Sequence, residues 1–195
     1  MISLQEIFIA LNKKHKYAAI KLFESFPLAI AGSEIDLFCQ DANLILQTLI
    51  PSMNKYIDEG YEITVEEKDH YINIDMINNN NLELRWKLYR SLPKLKKISI
   101  RDSLFDVIVE RAVICKINRS GNESVEVYVP EFFDDLLLKY IEYQEWYSMR
   151  GDKVKHAEYV QGLLTTEEIK KKFFDRVHYY TKFSGIEEED TNISG

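Results

Sequence analysis

The sequence predicts an α+β fold in which a mixed β-sheet core is followed by a helical subdomain. Short segments with the two-residue apolar alternation of strands are interspersed with helical segments over residues 1–129. Beyond Pro130 the apolar residues recur at helical spacing as far as residue 183, and an acidic tail follows over 184–195. We therefore expect three regions: a core (1–129), a helical subdomain (130–183) and a disordered tail (184–195).

The composition indicates a globular protein of the cytoplasm. Of the 195 residues, 46% are apolar and 29% are charged, and the net charge is −7. This acidic balance argues against a broad nucleic-acid-binding surface, because such surfaces need clustered cations. No apolar stretch approaches the ~18 residues that span a bilayer, and no signal-peptide pattern is present. The two cysteines lack metal-ligand spacing. The composition leaves the oligomeric state open.

Four elements are predicted before residue 60, namely a helix (3–13), a strand (17–20), a strand (34–40) and a helix (42–55). The first helix follows from apolar residues at helical spacing, and Asp41 is a typical N-cap for the second. The residues expected to face inward on the second helix are Leu44, Ile45, Leu46, Leu49 and Ile50. Between the two strands, Pro27 excludes a helix and Gly32 indicates a turn.

The rest of the core is predicted to form two hairpins, a further strand and a helix. In chain order these are strands over 61–67, 70–77 and 82–86, a helix over 103–113, and strands over 113–117 and 125–129. Turn residues separate the hairpin strands at Lys68-Asp69 and at 119–122. Three helices are expected after Pro130, and a capping box of Thr165 and Glu168 is predicted to start the last one.

Three carboxylates lie on strands whose neighbours are apolar. Glu34 and Asp36 are two residues apart, which puts both side chains on one face of a strand, about 6.5–7 Å apart. Asp75 lies within a second apolar strand. Burying such groups is costly unless a cation neutralises them, and a divalent metal that also holds a phosphate is a common reason for such a cluster. The alternative is that Glu34 and Asp36 occupy the solvent face of an edge strand, with Ile35 and Leu37 toward the core.

These motifs resemble those of the nucleotidyltransferase superfamily with the DNA polymerase β fold. Residues 32–37, G-S-E-I-D-L, parallel the family's G-S-D-I-D-L, and Asp75 corresponds to the family's third acid. The resemblance implies a nucleotidyltransferase-like core with a C-terminal helical subdomain. Further short motifs resemble a bacterial branch that is associated with surface-polysaccharide gene sets, and they lie at 17–24, 70–75, 127–137 and 153–156.

The resemblance implies a Mg²⁺-dependent (or Mn²⁺-dependent) transferase that moves a nucleoside monophosphate from an NTP to a hydroxyl or phosphate acceptor, such as a sugar or small metabolite. It assigns Glu34, Asp36 and Asp75 as catalytic residues and as metal ligands. The candidate substrate-binding residues are Lys21, Ser33, Arg85, Lys153 and Lys155.

Several of these candidates also fit an ordinary structural role. Arg85 lies in a basic run with interleaved aromatics over 84–90, which is typical of a phosphate-binding segment and equally of an edge strand with a solvated face. Lys153 and Lys155 also fit the charged surface of a helix. His70, at the start of the strand that carries Asp75, can orient a substrate or serve the structure alone.

The chain departs from the family pattern at two points. Glu34 stands where the family usually has Asp, although one extra methylene still lets a carboxylate reach a metal. The Gly-Ser turn that holds the terminal phosphates in active relatives is missing, and residues 20–24, I-K-L-F-E, occupy its place. Lys21 can supply charge there but cannot copy a cradle of backbone N–H groups. Two other functions therefore stay open, a catalytically degenerate binding module and the toxin of a defence system.

Overall fold

A computed structural model describes residues 2–118 and 124–183 and confirms the predicted α+β class. Within these residues there are six α-helices, a mixed five-stranded sheet and two smaller sheets of two strands each. The predicted hairpin turn at 119–122 and the predicted tail at 184–195 lie outside the described residues. No helix in the described part of the chain is both long and apolar enough to cross a bilayer.

The helices and strands largely match the predicted ones. The helices are α1 (Leu4–Asn12), α2 (Ala42–Met53), α3 (Ser103–Arg111), α4 (Phe132–Trp146), α5 (Val154–Leu163) and α6 (Glu167–Tyr180). The strands are β1 (Tyr17–Lys21), β2 (Ser33–Cys39), β3 (Tyr61–Glu67), β4 (Tyr71–Asn78), β5 (Asn81–Tyr89), β6 (Ile98–Ile100), β7 (Val113–Asn118), β8 (Ser124–Val129) and β9 (Thr181–Phe183). The strand β5 is longer than predicted because its alternation of apolar and polar residues continues to Tyr89.

The five strands of the main sheet follow the order β1-β2-β5-β4-β3. β2 and β5 run parallel, whereas the other neighbouring strands are antiparallel. The tight turn between β4 and β5 contains Asn79 and Asn80 at φ values of 50° and 62°, as a two-residue hairpin turn with left-handed residues requires. This connection puts β5 at the centre of the sheet, between the two acid-bearing strands β2 and β4.

One face of the main sheet forms the hydrophobic core together with α1 and α2. Trp86 at the middle of β5 is fully buried, and its ring lies 5.5 Å from that of Phe8 on α1. Ile35 and Leu37 on β2 belong to the same core. Because side chains alternate along a strand, the polar residues between these positions point to the opposite face of the sheet.

The chain divides into two compact units. The first comprises residues 1–92 and 105–131, and the second comprises Pro93–Leu104 together with the chain from Phe132 onward. The sequence predicts a change of character near Pro130, but residues 88–100, which contain a proline and three lysines, fit no predicted helix or strand. In the structure β6, which lies in that segment, pairs with β9 at the end of the helical region. Pro93–Leu104 therefore belongs with the C-terminal helices.

Two details of the helices differ from prediction. Asp41 caps α2 as predicted and accepts from two backbone N–H groups, but Leu44 is 48% exposed because it falls on the outer face of the helix. The predicted capping box at Thr165 is wrong. The N-cap of α6 is Thr166, whose hydroxyl accepts from the backbone N–H of Ile169 at 3.3 Å.

Candidate functional site

The face of the main sheet opposite the core carries charged and polar side chains in two rows. Residues paired directly across neighbouring strands point to the same face. The first row runs Glu34, Arg85, Asp75 across β2, β5 and β4, and the second row runs Asp36, Lys87, Asn73 across the same strands. The three predicted acids therefore share one face of the sheet.

The first row is an alternation of acid, base and acid. Arg85 donates to both oxygens of Asp75, from Nε at 2.7 Å and from Nη2 at 2.6 Å. This interaction raises the pKa of the Arg85 guanidinium, so it stays fully charged. Glu34 forms ion pairs with Lys21 on β1 and with Lys87 on β5. Each carboxylate of the first row thus has a lysine or arginine as its immediate partner.

The electrostatics of Glu34 reflect these two lysines. Burial raises the pKa of the Glu34 carboxyl, but hydrogen bonds from Lys21 and Lys87 outweigh this effect and hold the pKa below its ordinary value.

In the second row Asp36 is only 7% exposed, which makes it the most buried of the three acids. The partner of Asp36 in the register of β1 is Lys21. Lys21 therefore borders both rows.

The three acids are not grouped around one point, because Asp75 is paired with Arg85 and Glu34 with Lys21 and Lys87. The strand β5 separates Asp75 from β2, so the Cα atoms of Asp75 and Glu34 are two strand spacings, about 9.6 Å, apart, and Asp36 in the second row is farther from Asp75. Arg85 lies between Glu34 and Asp75 in the register, and its guanidinium is bound to Asp75. No group of three or more His, Cys, Asp or Glu side chains in the described ranges is arranged to hold a metal. Glu34 and Asp36 do lie side by side on β2, and they form a pair of potential oxygen ligands.

The loop before β2 borders an open cavity of about 410 Å³, lined by residues 23–25 and 30–33. Ser33 is 3% exposed, and its hydroxyl accepts from the backbone N–H of Ile30 at 3.0 Å. This hydrogen bond closes the turn, which also contains Gly32 at a φ of 79°. Glu24 is the charged residue of the cavity lining. The lining thus carries no lysine or arginine for a terminal phosphate of a nucleotide.

An aromatic row continues the same face of the sheet beyond the second row. It consists of Phe38, Tyr89 and Tyr71, again across β2, β5 and β4. The rings of Tyr71 and Tyr89 are 5.3 Å apart, and those of Phe38 and Tyr89 are 5.7 Å apart. Phe105 on α3 packs on Phe38 at 4.8 Å. Tyr71 and Tyr89 are partly exposed and so leave part of an aromatic surface beside the charged rows.

The candidates of the C-terminal helices belong to the second unit. Lys153 is 8% exposed and forms an ion pair with Glu142, whose carboxylate also lies 3.2 Å from Nε2 of His156. Burial is the main cause that lowers the pKa of His156, and Glu142 opposes it. Lys155 is exposed.

His70 belongs to the first unit. Its Nδ1 lies 3.0 Å from the hydroxyl of Ser91, which is a local structural contact.

Sequence reasoning placed Lys87 and Tyr89 in a basic run that can bind phosphate or stack a base, but it assigned no role at this site to Asn73, Phe38 or Tyr71. The shared face of these residues follows only from the strand register, which pairs residues of β2 with residues 51 positions later on β5. One signal was present: Arg85 and Lys87 alternate with Leu84, Trp86 and Leu88, which indicates a strand with one charged face.

The chain was compared with protein-family models, with curated proteins and with solved structures, and none of the three comparisons gives a match.

Proposed function

We propose that this protein is a nucleotidyltransferase-like domain that binds a phosphate-bearing small molecule, such as a nucleotide or a sugar phosphate, without transferring a nucleotidyl group. The observation that carries the proposal is the position of Arg85 between Glu34 and Asp75, with Lys21 and Lys87 on Glu34. These side chains supply the positive charge that divalent ions supply in active nucleotidyltransferases.

The charge balance of the two rows supports this function. Three carboxylates, those of Glu34, Asp36 and Asp75, face three cationic side chains, those of Lys21, Arg85 and Lys87. A divalent ion entering this face would meet little net negative charge and would have to separate existing ion pairs. The same cations can bind an anionic ligand, because a phosphate can replace a carboxylate as their partner.

The exposure of the cations and the adjacent aromatic row favour a ligand that joins a phosphate to a ring. The side chains of Lys21 and Arg85 are 53% and 33% exposed, so solvent reaches both head groups. Tyr89 lies two residues after Lys87 on the same face of β5, about 6.5–7 Å along the strand. A phosphate at Lys87 therefore leaves the ring of the ligand near Tyr71 and Tyr89, where stacking contributes about 1–3 kcal/mol for a base.

The test is a set of binding measurements with and without metal. Isothermal titration with ATP, UDP-glucose and glucose 1-phosphate is run in EDTA and in Mg²⁺. We expect at least one of these compounds to bind in EDTA, and Lys87→Gln to weaken that binding about tenfold or more. Lys68→Gln, which removes an exposed lysine from the β3–β4 turn, serves as the matched control. Binding that occurs only with Mg²⁺ contradicts the proposal.

A second candidate function is Mg²⁺-dependent nucleotidyl transfer, which one observation favours. Glu34 and Asp36 lie on one face of β2, and the deeper of the two, Asp36, is 7% exposed. They would hold the ion, and a bound Mg²⁺ lowers the pKa of an attacking hydroxyl and neutralises a leaving pyrophosphate. Transfer of label from α-labelled NTP to a sugar acceptor, dependent on Mg²⁺ and abolished by Asp36→Asn, would favour this function over simple binding.

A further inference from the structure

The strand β7 is the most exposed strand in the described part of the chain. Val113 and Ile114 are 47% and 53% exposed, and Cys115 and Lys116 are exposed as well. We propose that two copies of this chain form a dimer by pairing β7 with β7 in antiparallel fashion, so that the two β7–β8 hairpins become one four-stranded sheet.

The two strands of the hairpin differ in what covers them. Its other strand, β8, packs on the core through Val125 and Val127, which are 1% and 0% exposed, and it contacts α1 and β1. Among the described residues β7 pairs with β8 alone, which leaves its outer edge of backbone N–H and C=O groups for another strand. An exposed apolar edge of this kind readily pairs with a further strand.

The β3 edge of the main sheet differs from the β7 edge of the hairpin in its charges. The edge strand β3 carries three exposed acids, Glu62, Glu66 and Glu67. Such charges are a common means of preventing strand addition. In contrast, Lys116 is the one charged residue among the six of β7. The chain therefore blocks strand addition at β3 but not at β7.

The side-chain pattern of β7 complements a second copy of itself. Val113, Cys115 and Ile117 share one face of the hairpin with three valines of β8. A two-fold axis at Cys115 pairs Val113 of one copy with Ile117 of the second and continues this apolar face across the dimer. A shift of one residue would put Lys116 beside Cys115 on that face, and a two-fold axis at Lys116 would oppose two lysines. In the register with the axis at Cys115, Lys116 of each copy faces Ile114 of the other, so like charges are not opposed when the partner is a second copy.

The proposed register makes a distance prediction. Directly opposed residues of antiparallel strands have Cα atoms about 4.5–5.5 Å apart, which is within the range that a disulfide spans. Cys115 of the two copies are opposed in this register. Diamide accepts the two thiol hydrogens and should join the copies through Cys115. Cys39, the other cysteine, is 1% exposed and should not react.

The experiment is sedimentation equilibrium of the full chain over a range of concentrations, combined with diamide cross-linking. We expect a dimer that diamide cross-links, and Cys115→Ser should keep the dimer but lose the cross-link. Cys115→Lys opposes two lysines at the two-fold axis, so the dissociation constant should rise about tenfold or more. Val65→Lys, at a 48% exposed position of β3, should leave the dimer unchanged.

Three results would overturn the proposal: a wild-type chain that stays monomeric at every concentration, a dimer that Cys115→Lys does not weaken, or a dimer that diamide fails to cross-link. Far-UV circular dichroism of Cys115→Lys verifies that the variant is folded. If that variant does not fold, hydrogen exchange of the wild type replaces it. A dimer should protect the β7 amides at high protein concentration and lose this protection at low concentration, and β7 amides that exchange equally fast at both concentrations would overturn the proposal.

Discussion

Arg85 and Asp75 lie opposite each other on β5 and β4 and are joined by two hydrogen bonds of 2.7 and 2.6 Å. The planar guanidinium matches both carboxylate oxygens, which fixes the orientation of each side chain. Glu34 occupies the same row on the other side of Arg85. Asp75 is therefore oriented by an arginine, and Arg85 is held between the two acids that the sequence assigns to a metal.

Arg85→Gln should destabilise the protein by about 1–2 kcal/mol, because Asp75 loses both hydrogen bonds while its side chain stays 17% exposed. Urea unfolding measures this loss. A double-mutant cycle with Asp75→Asn isolates the pair, and the double variant should be more stable than the sum of the two single losses implies. A coupling energy of zero would mean that the pair contributes nothing to stability.

Removing cations from the charged face should create a metal site there. In the double variant Arg85→Gln and Lys87→Gln, the carboxylates of the two rows have fewer cationic partners, and they repel one another. We expect Mn²⁺ to stabilise this variant, by about 2.7 kcal/mol at a concentration 100 times the dissociation constant, and to leave the wild-type melting temperature unchanged. Adding Asp36→Asn should reduce the effect. An equal Mn²⁺ shift in the wild type would contradict the proposed binding function and favour the transferase.

The two lysines on Glu34 make a contribution to stability that depends on pH. Since the folded pKa of Glu34 lies below its ordinary value, the contribution is present above about pH 4.3, the ordinary pKa of glutamate, and is lost as the pH falls through the folded pKa. Wild type should therefore exceed Glu34→Gln in stability at pH 7, and the difference should shrink toward pH 3. Urea unfolding at each pH measures it. Glu110→Gln, an exposed change on α3, is the control for the loss of one carboxylate.

The strand and helix positions could be predicted from the sequence because they depend on local patterns. Alternation identifies β3 and β4, and the acceptor side chain of Asp41 identifies the start of α2. Thr165 and Thr166 show the limit of such reasoning. Both are plausible caps, and only the extended backbone at Thr166, together with the approach of the Ile169 N–H, selects one.

The composition of the charged face could not be predicted because it depends on strand register. The sequence identifies Glu34, Asp36 and Asp75 as acids on strands. It does not determine whether the strand beside β2 carries acidic or basic side chains. The structure inserts β5 between β2 and β4, and this brings Arg85 into the row of Glu34 and Asp75. No local pattern encodes that strands with a register offset of 51 residues become neighbours.

The second unit contains a buried glutamate, Glu145, that sequence reasoning did not single out. Glu145 on α4 is 1% exposed, and its carboxylate accepts from the backbone N–H groups of Lys96 and Lys97 at 2.8 and 2.9 Å. It is the hydrogen-bond acceptor for these two N–H groups just before β6 and so joins Pro93–Leu104 to the C-terminal helices.

Glu145→Ala should cost about 1–3 kcal/mol, because the partly buried backbone N–H groups of Lys96 and Lys97 both lose their acceptor. Glu145→Gln, which keeps one acceptor oxygen, should cost less. The measurements are urea unfolding and hydrogen exchange at the Lys96 and Lys97 amides, which should exchange faster in both variants. Glu158→Ala, at an exposed position of α5, is the control. If Glu145→Ala unfolds at the same urea concentration as the control, the carboxylate does not hold this segment.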